Sequence, residues 1–284
     1  MNRIYLGILF LMIVTTGCAT ISSETLPPIG TPSSGVYQTG KFVWFDLLSE
    51  DVWKAKKFYG ELFEWRIEAS DKSENYFIVY NGSRAIGGIV AHENRDPKAA
   101  ESLWIGTLSV DNVDQSTEVV RQNGGIILEG PIDAPNRGRM ALVADPAGAP
   151  FALLRADGGD PVGVPPQSGD WLWSDLIVAD SEMVKAFYNN LIGYEYRSVE
   201  TGSEHSLNLF LLHRKPQAGV VELKWEGVEA NWLPYIRVED LDATIEKARR
   251  LGGKMVLKQG NAAVLVDPDG AAFGIQHPGK EGVS

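Results

Sequence analysis

Two stretches of this chain repeat one another 129 residues apart, and that repetition limits the fold more than any other feature. Trp44-Phe45-Asp46-Leu47-Leu48-Ser49-Glu50-Asp51 matches Trp173-Ser174-Asp175-Leu176-Ile177-Val178-Ala179-Asp180, and the alignment continues through Phe58-Tyr59 with Phe187-Tyr188 and Leu62 with Leu191. Trp104 to Val110 with Asn112-Val113-Asp114 returns as Trp232 to Val238 with Asp240-Leu241-Asp242. Asp145-Pro146-Ala147-Gly148 returns as Asp267-Pro268-Asp269-Gly270. A fixed period of this size means two copies of one folding unit. They are read as domains over 41–156 and 170–277, joined by a Gly- and Pro-rich linker.

Each copy divides again. Phe42–Leu48 reads as a strand leading into a helix, with Asp51 as N-cap and Val52, Ala55, Phe58, Tyr59 and Leu62 at helical spacing. Short strands follow near 64–69, 75–81 and 84–91. Trp104–Val110 then starts a strand, Val113–Asn123 a helix, and strands come near 126–129, 139–144 and 150–154. The second copy follows suit, with helices near 181–192 and 241–251 and a Gly252-Gly253 stop. The expected class is α+β, built from four βαβββ modules.

The N-terminus has a different character. Residues 4–14 are an unbroken apolar run behind Arg3. Eleven helical residues rise about 16 Å, too short for a bilayer core of roughly 30 Å, so residues 1–17 read as a signal peptide. Thr15-Thr16-Gly17-Cys18 resembles the lipobox of bacterial lipoproteins, with Leu replaced by Thr15. That resemblance implies lipidation at Cys18, the chain's single cysteine, and a cell-envelope location; Ala19 after it favours the outer membrane or periplasmic face. Residues 18–40, rich in Ser, Thr, Pro and Gly, read as a flexible tether. The net charge is −11, and no basic run appears. An acidic chain without such a patch is a poor nucleic-acid ligand.

Four βαβββ modules, with Phe-Tyr in the first helix and a DP-x-G turn before the last strand, resemble the vicinal oxygen chelate superfamily. It includes glyoxalase I, extradiol dioxygenases, and fosfomycin- and bleomycin-resistance proteins. The resemblance implies paired modules that curl their sheets around a cleft holding a divalent metal or an apolar ligand. It places the metal ligands at Trp44, Trp104, Trp173 and Trp232 on first strands and at Ala152 and Gly274 after the DP-x-G turns. Indole offers no lone pair, and Ala and Gly offer no donor. Residues 84–91 contain no acid, and Glu222 in the matching strand is a single carboxylate. His92, His205, His213 and His277 show no common-site spacing. No metal and no cofactor is therefore expected.

Strand parity suggests what the clefts hold instead. Phe42, Trp44 and Asp46 are expected to face one cleft, and Trp171, Trp173 and Asp175 the other, with Trp104 and Trp232 approaching from the partner modules. Two indoles and a carboxylate suit a planar or cationic organic ligand; the alternative is that the four indoles plug the clefts as core. Arg137 and Arg139 flank Gly138, and Arg139 is taken as an anion contact to the first cleft. The reading is a lipid-anchored, metal-free binder of a small organic molecule, monomeric because four modules complete two clefts. An unorthodox metal-dependent enzyme and an envelope interaction scaffold are the alternatives.

Overall fold

The computed structural model describes residues 26–30, 33–71, 73, 75–92, 102–200, 206–224 and 229–278. The signal peptide, Cys18 and His205 lie outside the described residues. Among the described residues no helix is long and apolar enough to cross a membrane.

The first half runs β1 (Phe42–Ser49), α1 (Val52–Phe63), β2 (Arg66–Ala69), β3 (Tyr76–Asn81), β4 (Arg84–Ala91), β5 (Ser102–Ser109), α2 (Val113–Gln122), β6 (Ile126–Ala134), β7 (Gly138–Ala144) and β8 (Pro150–Ala156). The second half repeats it as β9 (Trp171–Val178), α3 (Glu182–Ile192), β10 (Glu195–Glu200), β11 (Ser206–Leu212), β12 (Lys215–Glu222), β13 (Asn231–Arg237), α4 (Leu241–Arg250), β14 (Lys254–Gln259), β15 (Ala262–Val266) and β16 (Ala272–Gln276). Each half forms one eight-stranded sheet, in the orders β2-β3-β4-β1-β5-β8-β7-β6 and β10-β11-β12-β9-β13-β16-β15-β14. β1 runs parallel to β4 and antiparallel to β5, so the two modules of a half meet at their first strands. The class is α+β.

The helices start where local chemistry satisfies their free N–H groups. Asp51, Asn112 and Asp240 accept from Lys54 N, Gln115 N and Ala243 N at 3.0, 3.0 and 2.9 Å. Their apolar faces do not pack within their own halves alone. One core joins Phe45, Leu47, Phe58, Tyr59 and Trp104 to Ile236, Ile245, Leu265 and Phe273 from the last module. The other joins Leu108, Val120, Val143 and Phe151 to Leu176, Phe187, Tyr188 and Trp232. Helices thus lie between the two sheets, and the opposite face of each sheet forms a cleft.

The repeated motifs found in the sequence hold this arrangement together. Trp104 Nε1 donates to Tyr59 Oη at 2.9 Å, and Tyr59 Oη donates to the Asp267 carboxylate at 3.0 Å. Trp232 Nε1 donates to Tyr188 Oη at 2.8 Å, which donates to Asp145 at 2.9 Å. Each relay starts in one half and ends on the DP-x-G turn of the other. The second oxygen of each aspartate closes its turn, accepting from Ala147 N and Ala149 N, or from Asp269 N and Ala271 N. Both relays are buried.

The described part of the expected tether, 26–30 and 33–40, is corrected: it packs against the first half. Pro27 O accepts from Arg137 Nε at 2.8 Å, and Ile29 is 2% exposed beside Trp44, Leu154 and Ala156. Gly35 N donates to Gly158 O and Asp160 N to Val36 O, both at 2.8 Å, and Gln38 N donates to the Asp160 carboxylate at 2.6 Å. Composition hides this, because one isoleucine and a set of hydrogen bonds, mostly from the backbone, fix a segment that reads as polar chain.

Candidate functional site

The expected face assignments hold for four residues and fail for four. Trp44 and Asp46 lie on the cleft face of the first sheet, and Trp173 and Asp175 on that of the second. Phe42 and Trp171 turn to the helix side. The ladder shifts register between Phe42 and Trp44, and again in β13 between the partners of Trp173 and Trp171. An extra residue in a strand reverses the parity beyond it. Phe42 accordingly meets Trp232 at a ring separation of 4.6 Å, and Trp171 meets Trp104 at 5.0 Å.

Trp104 and Trp232 are not cleft residues. They pair across the ladder with Leu47 and Leu176, which face the helices, and each is fully buried in the relays above. The residues opposite Trp44 and Trp173 are instead Thr107 and Tyr235, three positions further along. Thr107 in turn pairs with Ala152, and Tyr235 with Gly274. The rows Trp44–Thr107–Ala152 and Trp173–Tyr235–Gly274 are therefore the places where a metal of this fold would be held. They do not fit one. A threonine hydroxyl is a neutral donor, and burial raises the Tyr235 phenol further above its ordinary value, so it keeps its proton. Glu222 accepts from Ser181 N at the start of α3. Among the described residues no three His, Cys, Asp or Glu side chains converge.

The first cleft is closed. Asp46 Oδ1 accepts from Trp44 Nε1 at 2.9 Å and from Tyr76 Oη at 2.5 Å. Arg137, 1% exposed, donates from Nη2 to Tyr76 Oη at 2.8 Å and lies 3.4 Å from Asp46 Oδ2. Its remaining edge reaches Pro27 O, and Ile29 covers Trp44. A buried guanidinium requires acceptors, and each of its three nitrogens has one. Arg139, the expected anion contact, points elsewhere: it donates to Asp114 on α2 at 2.7 and 3.1 Å and pairs with Asp133. Arg137 lies in the turn before β7, outside the strand's alternation, and only it enters the cleft. Tyr76 was not singled out from the sequence; its register opposite Val90, two residues from the Gly88 beside Asp46, is its only signal.

The second cleft is less fully covered, because its indole is half-buried where Trp44 is buried. Trp173 Nε1 donates to Asp175 Oδ1 at 2.8 Å, and the Tyr235 hydroxyl also donates to this carboxylate. Trp173 and Asp175 are both half-buried. Ile177, Leu233, Val221, Val264 and Ala272 form the apolar floor around them. Burial pushes the Asp175 carboxyl above its ordinary value despite those two donors. Both clefts depend on a glycine in the neighbouring strand. A Cβ at Gly88 would overlap Asp46 and the Tyr76 hydroxyl, and one at Gly219 would overlap Asp175.

This fold, with its duplicated modules and outward clefts, is that of the vicinal oxygen chelate proteins, and the chain belongs to that superfamily. Residues 41–153 match the Glyoxalase/Bleomycin resistance protein/Dioxygenase superfamily, and residues 171–276 match a Glyoxalase-like domain. Among its relatives are CFP32 of Mycobacterium tuberculosis, provisionally named a glyoxylase, and the anthracycline biosynthesis protein DauV of Streptomyces sp. strain C5. CFP32 is 28% identical over 87% of this chain and 98% of that protein; DauV is 29% identical over 84% and 94%. The Mn(II)-bound glyoxalase of Novosphingobium aromaticivorans superposes with a TM-score of 0.58 at 12% identity, covering 84% of this chain and 82% of that one. A homoprotocatechuate 2,3-dioxygenase variant from Brevibacterium fuscum gives 0.59 at 11%, covering 88% and 74%.

Proposed function

We propose that this glyoxalase-like protein binds a small organic molecule in its second cleft without a metal, and that a lipid on Cys18 anchors it in the cell envelope. The observation that carries the binding reading is the half-buried pair of Trp173 and Asp175 on an apolar face, with Trp173 standing where the fold would otherwise place a metal ligand. A half-buried indole supplies stacking and apolar burial, and a carboxylate fixed by two donors supplies orientation. The full burial of Trp44 argues that the first cleft is filled by the chain itself. A relative named for anthracycline biosynthesis is consistent with a flat, fused-ring ligand.

The test is a thermal-shift screen of planar aromatic compounds, alongside metal analysis of protein purified without chelator. The expected result is stabilisation by at least one compound, lost in Trp173→Ala, with metal well below one equivalent. One tightly held transition metal per chain overturns the metal-free reading, and hits that persist in Trp173→Ala overturn the assignment to this cleft. For the anchor, labelling cells with a radioactive fatty acid is expected to mark the wild type and not Cys18→Ser; equal labelling overturns it.

A further inference from the structure

We propose that the second cleft selects an organic cation, a guanidinium, amidinium or primary amine carried on an apolar body. This inference rests on the binding reading above and adds the charge of the ligand.

The molecule contains its own comparison. Trp44 and Asp46 on β1 correspond to Trp173 and Asp175 on β9, and in both the indole donates to Oδ1 of the carboxylate two residues on, at 2.9 and 2.8 Å. Gly88 and Gly219 occupy the same position opposite each carboxylate. In the first cleft the chain fills this arrangement from within. The Arg137 guanidinium lies against Asp46, 5.5 Å from the Trp44 ring centre and 5.2 Å from that of Tyr76, and Ile29 supplies an aliphatic group on the same indole. The occupant is thus a cation with an apolar companion.

Among the described residues the second cleft shows no counterpart of that cation or of Ile29, and the hydroxyl on its carboxylate comes from Tyr235 instead. The turn that carries Arg137 spans Pro135 to Arg137 between Ala134 and Gly138, whereas its counterpart between Gln259 and Ala262 is only Gly260-Asn261. Leu207 stands where Tyr76 stands in the first half, since Ile78 pairs with Gly88 as Leu209 pairs with Gly219. Among the described residues no lysine or arginine pairs with Asp175, and apart from its donors Trp173 and Tyr235 the residues around it are apolar. A desolvated carboxylate without a counter-charge is costly, and an incoming cation relieves that cost while gaining attraction to the Trp173 ring. A neutral or anionic ligand gains neither.

The probes are benzamidine and its neutral, near-isosteric analogue benzamide, titrated by calorimetry at pH 7.5 into the full chain and into Asp175→Asn. Benzamidine is expected to bind the wild type at least tenfold more tightly than benzamide. Asp175→Asn, which keeps the oxygen that accepts from Trp173, is expected to lose that preference while its benzamide affinity stays within about twofold. Equal binding of the two probes to the wild type overturns the cation inference and leaves the binding reading standing. Binding of neither probe overturns both. A preference for benzamidine that survives in Asp175→Asn also overturns the inference, because the cation then binds elsewhere.

Discussion

At the scale of single residues, the motifs most visible in the sequence turn out to be mutual partners. The Phe-Tyr pair, the Trp that opens the second module and the DP-x-G turn were readable as repeats, but nothing in their spacing said that Tyr59 bridges Trp104 to Asp267. That relation depends on how two sheets pack. Tyr59→Phe removes the bridging hydroxyl and strands an indole N–H and a carboxylate oxygen. A loss of about 1–3 kcal/mol is expected in denaturant unfolding, with a similar loss for Tyr188→Phe. Asp145 gives a pH signature. Burial pushes its carboxyl up to about 6 from an ordinary 3.8. A carboxyl raised on folding contributes stability below its unfolded value, and that contribution is lost as pH rises through the folded one. The contribution is on the order of 3 kcal/mol, lost between about pH 4 and pH 6. Unfolding midpoints measured across that range are expected to show Asp145→Asn gaining on the wild type as pH rises.

At the scale of elements, the sequence located strands and helices well because periodicity is a local property. Faces were harder. Parity assigned Trp44, Asp46, Trp173 and Asp175 correctly but failed at Phe42 and Trp171, because a register shift leaves no mark in a hydrophobic pattern. The misplacement of Trp104 and Trp232 has a related cause: matching first strands by their tryptophans ignored the three-residue offset that the antiparallel ladder imposes. The segment from Pro27 to Gly40 was legible only as polar chain. Its attachment is by hydrogen bonds and one buried isoleucine rather than by a helix or strand, so it should open without global unfolding. In Ile29→Ala, the amides of Gly35, Gln38 and Asp160 are expected to exchange at least tenfold faster, while the melting temperature moves by no more than a few degrees. A cooperative collapse of the whole protein in this variant would show that the segment is integral to the core.

At the scale of the molecule, the duplication was plain and its packing was not. Sequence copies suggest two beads on a string; the structure crosses them, so that each hydrophobic core takes residues from both halves. One unfolding transition is expected by calorimetry, with no separate melting of either half. A fragment beginning at residue 161, expressed alone, is expected to lack a cooperative transition and to regain one when mixed with the complementary fragment. Independent folding of that fragment would contradict the shared interior.

The filling of one cleft by Arg137 and Ile29 also bears on how such a duplicated gene changes over time. A site that holds a piece of its own chain is closed to outside molecules, and under the proposed function its twin carries recognition alone. Substitutions on the concave face of the second sheet can then retune what is recognised. Those on the first are held in place by what they already embrace.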